Sequence, residues 1–432
     1  MSITSIISSI GNNSSIYPLL VRDCCIEAPS KILIARRENL KESKEKAKDA
    51  TREKFIDEYA TSAIWLGGIP AVENLADRYI SKKGFNPNVN FKLFDESGKN
   101  SADIIQGIEY NIKKFGQIKD TEVQDAIADL IKVRDNKAIY EKLLTKKFAV
   151  ATIIPTLIMG FILPRLNFAL TRKVKCNRQA QSLEVNKVKN STTLNKTKFS
   201  DFYESKNKKL TFTGGFTSTI AGLRTVDKMA ISDGGLTVGR VTTSRNKDEG
   251  YVNAFRMIGS MILNFVTPAY IAKGLDKFAN KLFKVNVKLD PLILDDKNFI
   301  TAIQNNKIEL PKSNNPKDLL DFIDENPKSL FATFAQKSGK VSYLKSGIRD
   351  PRKFVDLKDL GVFKKEFENF VESARKSKNI ENFAKKAKYV KFVNILANVG
   401  ISSFLLAGVL PQLQYGFNKL VTGSYSDPGL KN

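Results

Sequence analysis

The sequence predicts an all-α chain: a helical membrane protein with two or three apolar helices that stop at proline, joined by helical soluble segments. Three observations predict it. Uncharged runs at 392–418, 148–164 and 257–272 approach the roughly 20 apolar residues that a bilayer-crossing helix needs. Apolar residues elsewhere recur at helical spacing. Asn-Pro pairs stand where helices would open, with Asn as cap and Pro at the first helical position.

The elements follow in chain order. Residues 1–57 form a polar region whose first thirty residues, rich in Ser, Asn and Ile, read as weakly ordered. No signal peptide is evident in MSITSIISSIGNNSS. The stretch ARRENLKESKEKAKDATREKFID (35–57) reads as a solvated helix, with pairs such as Glu42–Lys46 at i,i+4 and little apolar face. Residues 58–147 read as a helical domain. It contains YATSAIWLGGIPAV (59–72), broken by Gly67, Gly68 and Pro70, which at this length suits an interfacial or buried helix better than a span. NPNVN (86–90) is a loop. Ile104, Ile105, Ile108, Ile112, Val123, Ile127, Leu130 and Ile131 form a core-facing stripe.

A transmembrane helix is expected over 148–170, with Arg165 snorkelling from its end, and another over 251–273. Asn264 and Ser260 of the latter suit a helix–helix contact better than lipid. Between them, 171–250 reads as a basic polar loop region. Its Gly234, Gly235, Gly239 and Arg240 match neither phosphate-loop fingerprint and read as turns. Residues 274–391 read as a basic all-α cytoplasmic domain. There Asn315-Pro316 and Asn326-Pro327 open helices, Gly339 and Gly347 mark turns, and Phe363, Phe367, Phe370 and Val371 form a stripe. The clearest span is 392–418, followed by a tail, 419–432. Seven Lys/Arg precede that span in 20 residues and two follow it, which puts its N-terminal side inside. Alternation then places 171–250 outside and 1–147 inside, although 148–170 has equal basic flanks. A re-entrant arrangement of the weaker segments would instead keep every basic block inside.

The spans share a proline signature. LPRLNFALTRK from Leu163 and LPQLQYGFNKL from Leu410 match by residue class, and TPAYIAKGLDK from Thr267 is a looser version. Pro164, Pro268 and Pro411 are each expected to kink or end a helix, followed by an interfacial aromatic (Phe168, Tyr270 or Tyr415) and a basic residue.

Composition narrows the chemistry. The net charge is +25, and 54 of the 70 basic residues are Lys, the point charge, not Arg, the fork suited to base and phosphate reading. The basic runs lack interleaved aromatics, so no stacking platform for nucleic acid appears. Histidine is absent, which closes the Ser-His-Asp, His-metal and imidazole-base templates. Cys24, Cys25 and Cys176 read as free thiols. No cofactor fingerprint and no catalytic pair is visible.

The segments TFTGGFTS (211–218) and GGLTVGRVTTSRNKDEGYVNAF (234–255), with the proline-terminated apolar runs, resemble a group of uncharacterised multi-span membrane proteins of non-photosynthetic gut relatives of cyanobacteria. The resemblance covers about 148–280 and the last span. It implies a bacterial inner-membrane location and carries no functional residue. The expectation is a non-enzymatic scaffold or anchor whose partners are the bilayer, anionic lipid headgroups or other membrane proteins. Lys376, Lys378, Lys385, Lys386, Lys388 and Lys391 are the candidate lipid-surface contacts. The alternatives are an oligomeric channel or transporter component, which needs ionisable groups within the membrane, and a soluble basic nucleic-acid-binding or phage structural protein.

Overall fold

A computed structural model describes residues 20–94, 105–187, 225–283 and 288–430, with Thr4, Ser5 and Ser8. It is 79% helical, with no strand among the described residues. Three helices are long and apolar enough to cross a membrane: Lys137–Ala180, Lys247–Phe283 and Ile380–Thr422. Each contains one of the expected spans. The segment TFTGGFTS lies outside the described residues.

The helices are α1 (21–40), α2 (44–82), α3 (Ile108–Phe115), α4 (Thr121–Asp135), α5 (137–187), α6 (Thr225–Thr242), α7 (Lys247–Phe283), α8 (Pro291–Leu294), α9 (Lys297–Gln304), α10 (Pro316–Glu325), α11 (Leu330–Lys337), α12 (Leu357–Arg375) and α13 (Ile380–Thr422). They build a helical bundle from α1, α2, α6 and the three long helices, with a body of short helices at one end.

The prolines do not end the long helices. Six prolines lie inside continuous helices: Pro29, Pro70, Pro155, Pro164, Pro268 and Pro411. Each follows a π-helical turn, at Val21–Glu27, Ile64–Gly68, Ala149–Ile153, Ile158–Ile162, Ile262–Val266 and Leu405–Val409. In every case the residue before proline donates its N–H to the carbonyl five residues back: Ala28 to Asp23, Ile69 to Ile64, Ile154 to Ala149, Leu163 to Ile158, Thr267 to Ile262 and Leu410 to Leu405. A proline ring clashes with the carbonyl four residues before it and offers no N–H. A widened turn moves that carbonyl aside, so the helix continues past the ring.

Three loop or disorder expectations are corrected. Residues 21–40 are helical. Of the 171–250 region, 171–187 continues α5, and the glycines at 234–239 lie inside α6. Those glycines are packing positions. Gly239 lies so close to Gly160 of α5 that a Cβ there would stand 2.7 Å from its backbone. Gly235-Leu-Thr-Val-Gly239 is thus a small-xxx-small crossing surface.

The fourth correction concerns 35–57, which is solvated on one face only. α1 and α2 form an antiparallel hairpin packed into the bundle, with Ala35, Glu38, Asn39, Ala47, Asp49 and Ala50 buried. Tyr59–Val72 continues α2, and its Ile64 and Trp65 pack on Met159, Leu236 and Met257.

Pairings fix the directions. Lys147 meets Asp77, Asn167 meets Glu53 and Arg178 meets Asp49, so α2 and α5 are antiparallel. Phe255 stacks on Phe417, and Asn394 bonds Asp276, so α7 and α13 are antiparallel. α5 is continuous from one end of the bundle to the other, so the basic block at 171–187 lies at the opposite end from 78–136.

The body has two cores. One holds Phe299, Phe331, Phe334, Phe363, Phe367 and Phe370; the other holds Ile108, Phe115, Val123, Ile127, Leu130 and Val133. They join through polar contacts: Gln106 bonds both the N–H and the carbonyl of Val355, and buried Arg349 bonds Asp324 at 2.6 Å, over the Phe115 ring. Asn315 caps α10 as expected. At the next helix the cap is Ser329, not Asn326, because Pro327 falls in the preceding turn.

Candidate functional site

Ionisable side chains of the hairpin are drawn into the bundle and lie against α6, α7 and the end of α13. On α1, Asp23, Glu27 and Lys31 repeat at i, i+4, i+8. On α2, Lys54 and Glu58 repeat at i, i+4. Helical spacing puts each set on one face.

The two faces meet in a chain of ion pairs. Arg22 lies 2.9 Å from Asp23 and 3.1 Å from Glu27; Glu27 lies 3.1 Å from Lys31; Lys31 lies 3.2 Å from Glu58; Glu58 lies 3.5 Å from Lys54. A second group centres on Asp57, which Arg240 of α6 approaches at 2.7 Å and Arg256 of α7 at 3.8 Å. Arg240 also donates to Thr61. Nearer the end of the bundle, Arg245 pairs with Glu53 and Glu249 and stacks on Phe168.

Burial dominates the acid–base behaviour. Burial and the neighbouring Arg256 push Lys54 down to about 8. Burial alone would lower Lys31, but Glu58 and Glu27 outweigh it and hold that ammonium above its usual range. Burial would raise Glu58, but Lys31, Lys54 and Arg256 hold it well below the usual carboxylate range. The side-chain carboxylate of Asp233 in α6 has no ion pair or hydrogen bond among the described residues, and burial pushes it up to about 6 against the pull of Arg240.

Two cavities lie in this network. The larger, about 140 Å³, is lined by both charged faces and by Trp65, Asp233, Arg240, Arg256, Asn264 and Gln414 among others. The smaller, about 80 Å³, lies among Glu53, Asp57, Arg245, Glu249 and Asp427. Lys54, Arg240, Arg256 and Gln414 line both. The larger cavity also borders four of the π turns, through Arg22, Asp23 and Glu27, Trp65, Asn264 and Leu406. Asn264 donates to Ser260 at 3.4 Å, and its Oδ1 is buried without a partner.

Of the lysines singled out before the last span, Lys376, Lys378, Lys385 and Lys386 are exposed, and Lys388 and Lys391 are half-buried. Lys385 pairs with Glu381 at 2.8 Å and Lys388 with Asp295 at 2.7 Å. Lys386 lies over the Phe283 ring at 5.8 Å. The structure thus brings Lys385, Lys386 and Lys388 near the exposed aromatics at the joint of α7 and α13, while Lys376 and Lys378 lie in the turn between α12 and α13.

The buried network is what sequence reasoning missed. The signal was present: charges at i, i+4, i+8 directly abutting an uncharged run mark a polar stripe, not a uniformly solvated helix. Comparison with protein-family models, curated proteins and solved structures finds no match.

Proposed function

We propose that the chain is an integral membrane protein that works as a non-enzymatic anchor, holding its basic helical body at one bilayer surface where it meets anionic headgroups or membrane partners. One observation carries this reading: each long helix exposes an apolar stripe of bilayer length. On α5 the stripe is Val150, Ile154, Leu157, Ile158, Ile162, Leu166 and Leu170. On α7 it is Tyr251, Ile258, Ile262, Val266 and Tyr270, and on α13 Val393, Leu396, Ile401, Phe404 and Leu413. At 1.5 Å per residue each covers about 30 Å, the thickness of the hydrocarbon core. Soluble chains rarely leave apolar stripes of that length uncovered.

The lysines at the α7–α13 joint support the surface role, since each basic residue near an anionic surface adds about 1 kcal/mol. Carbonate and high-salt washing of isolated membranes tests the reading. Retention in the pellet is expected; release into the supernatant sinks it. The charged cavity favours a second reading, a transport component, because ionisable groups between membrane helices commonly mark solute or ion pathways. Solute flux in reconstituted liposomes tests that one.

A further inference from the structure

Of the three cations in the wall between the two cavities, Lys54 and Arg256 lack a close counter-ion. Lys54 has one ion pair, at 3.5 Å, and Arg256 has one, at 3.8 Å, to a carboxylate already engaged by Arg240. The Nε groups of Arg240 and Arg256 are buried without hydrogen-bond partners. Gln414 shares this wall, is 5% exposed, and its side-chain amide makes no hydrogen bond with any described residue. Buried donors normally find partners, and a buried cation without a close one is costly. Here ammonium, guanidinium and amide N–H donors converge on one space.

We infer that this wall is a binding site for a small monovalent anion, a halide or a short carboxylate, held by Lys54 and Arg256 with the amide of Gln414. The size of the space sets the class. A cavity of about 140 Å³ holds a halide with waters or a carboxylate of a few carbons, and excludes nucleotides and sugar acids. Charge sets the valence. Asp57 and Glu58 adjoin the wall, so a dianion would meet repulsion that a monoanion largely escapes. A cation ligand would have Asp233 as its only carboxylate without an ion pair in the lining and Asn264 Oδ1 as a further open acceptor, but Arg22 and Arg240 stand beside Asp233. The site shares its cavity with the transport reading but does not require it, because an anion held here would equally fix the hairpin of an anchor.

Trp65 lines the same cavity and is the only Trp in the chain, which supplies a reporter. The experiment uses the full chain purified in detergent. Trp65 emission is followed while sodium chloride or sodium acetate replaces sodium gluconate at constant ionic strength. A saturable change with chloride and with acetate is expected. In Lys54→Met and in Gln414→Leu the apparent affinity should fall about tenfold or more, with helicity by circular dichroism unchanged. If Lys54→Met loses its helicity, Gln414→Leu alone decides, because it removes no charge. The inference is overturned if no saturable response occurs, if the response follows the cation when potassium replaces sodium, or if a folded Gln414→Leu binds as the wild type does. Failure here leaves the carbonate test of membrane insertion untouched.

Discussion

Asp233 and Lys54 are held by burial in ways that point in opposite directions with pH. Asp233 is pushed from 3.8 up to about 6, so between those values the folded state binds the extra proton and stability falls as pH rises. Above that window its charge costs at most about 3 kcal/mol, less where water in the cavity screens it. Asp233→Asn should therefore raise the melting temperature at pH 7.5 and leave it unchanged at pH 4; an equal shift at both values would mean the effect is not ionic. Lys54 is pushed from 10.5 down to about 8, so between those values the unfolded chain holds the extra proton and stability rises with pH. The groups acting on it are Asp57 and Glu58 from α2, Arg256 from α7 and Asp427 beyond α13, and Lys31 of α1 and Arg240 of α6 line the same cavity. Lys54→Met should be more stable than wild type by about 3 kcal/mol near pH 7.5, with the gap closing towards pH 10.5. Thermal melts at matched pH read both variants. Greater stability in Lys54→Met together with weaker anion binding would show that function, and not packing, keeps that ammonium buried.

At the scale of elements, α6 offers an internal comparison. A Cβ at Gly239 would strike the Gly160 backbone at 2.7 Å, whereas one at Gly234 meets nothing within 4 Å. Gly234→Ala should stabilise the helix by up to about 1 kcal/mol through propensity alone. Gly239→Ala should cost roughly 2 kcal/mol, because backbone cannot yield as a side-chain tip can. Equal melting temperatures for the two variants would contradict the close α5–α6 crossing. The joint between the two body cores should be as sensitive. Asp324 receives Arg349, which is 1% exposed, and Lys114 at 2.8 Å. Asp324→Ala should destabilise by about 3–5 kcal/mol, since it leaves a buried guanidinium unpaired; a loss under 1 kcal/mol by denaturant titration would show that the pair is replaceable. These elements also show what the sequence disclosed. Apolar runs long enough to span, the Phe363–Val371 stripe and the Asn315 cap were legible because each depends on local periodicity or local bonding. The passage of helices through proline was not, because it depends on a wider hydrogen bond that leaves no shared residue signature: the turn before Pro29 is charged, VRDCCIE, while the others are uncharged. The burial of 35–57 was not, because its partners Arg178, Arg240, Arg245 and Arg256 lie more than a hundred residues away. The anion site was hidden for the same reason: Lys54, Arg256 and Gln414 are joined only by the fold.

At the scale of the whole molecule, the directions of the helices make an accessibility prediction. α5 and α13 both start from the end that carries the body, and α7 returns to it. Cys176, exposed on the far part of α5, therefore stands at the opposite end from Lys312, exposed in the body. The cluster from Arg375 to Lys391 belongs to the body end, so the preference of basic flanks for the cytoplasm predicts a body that faces inside. In a Cys24→Ser, Cys25→Ser background, a membrane-impermeant maleimide should label Cys176 in intact cells. In the same background with Cys176→Ser, Lys312→Cys should react only after permeabilisation. Labelling of both positions in intact cells, or of neither, would place the two ends on one side of the membrane and remove the span from α5. Reversed labelling would keep the spans and invert the molecule. In that case the lysines at 376–391 would face the side poorer in anionic lipid, and the surface role proposed for them would fail while the charged cavity and its anion remained.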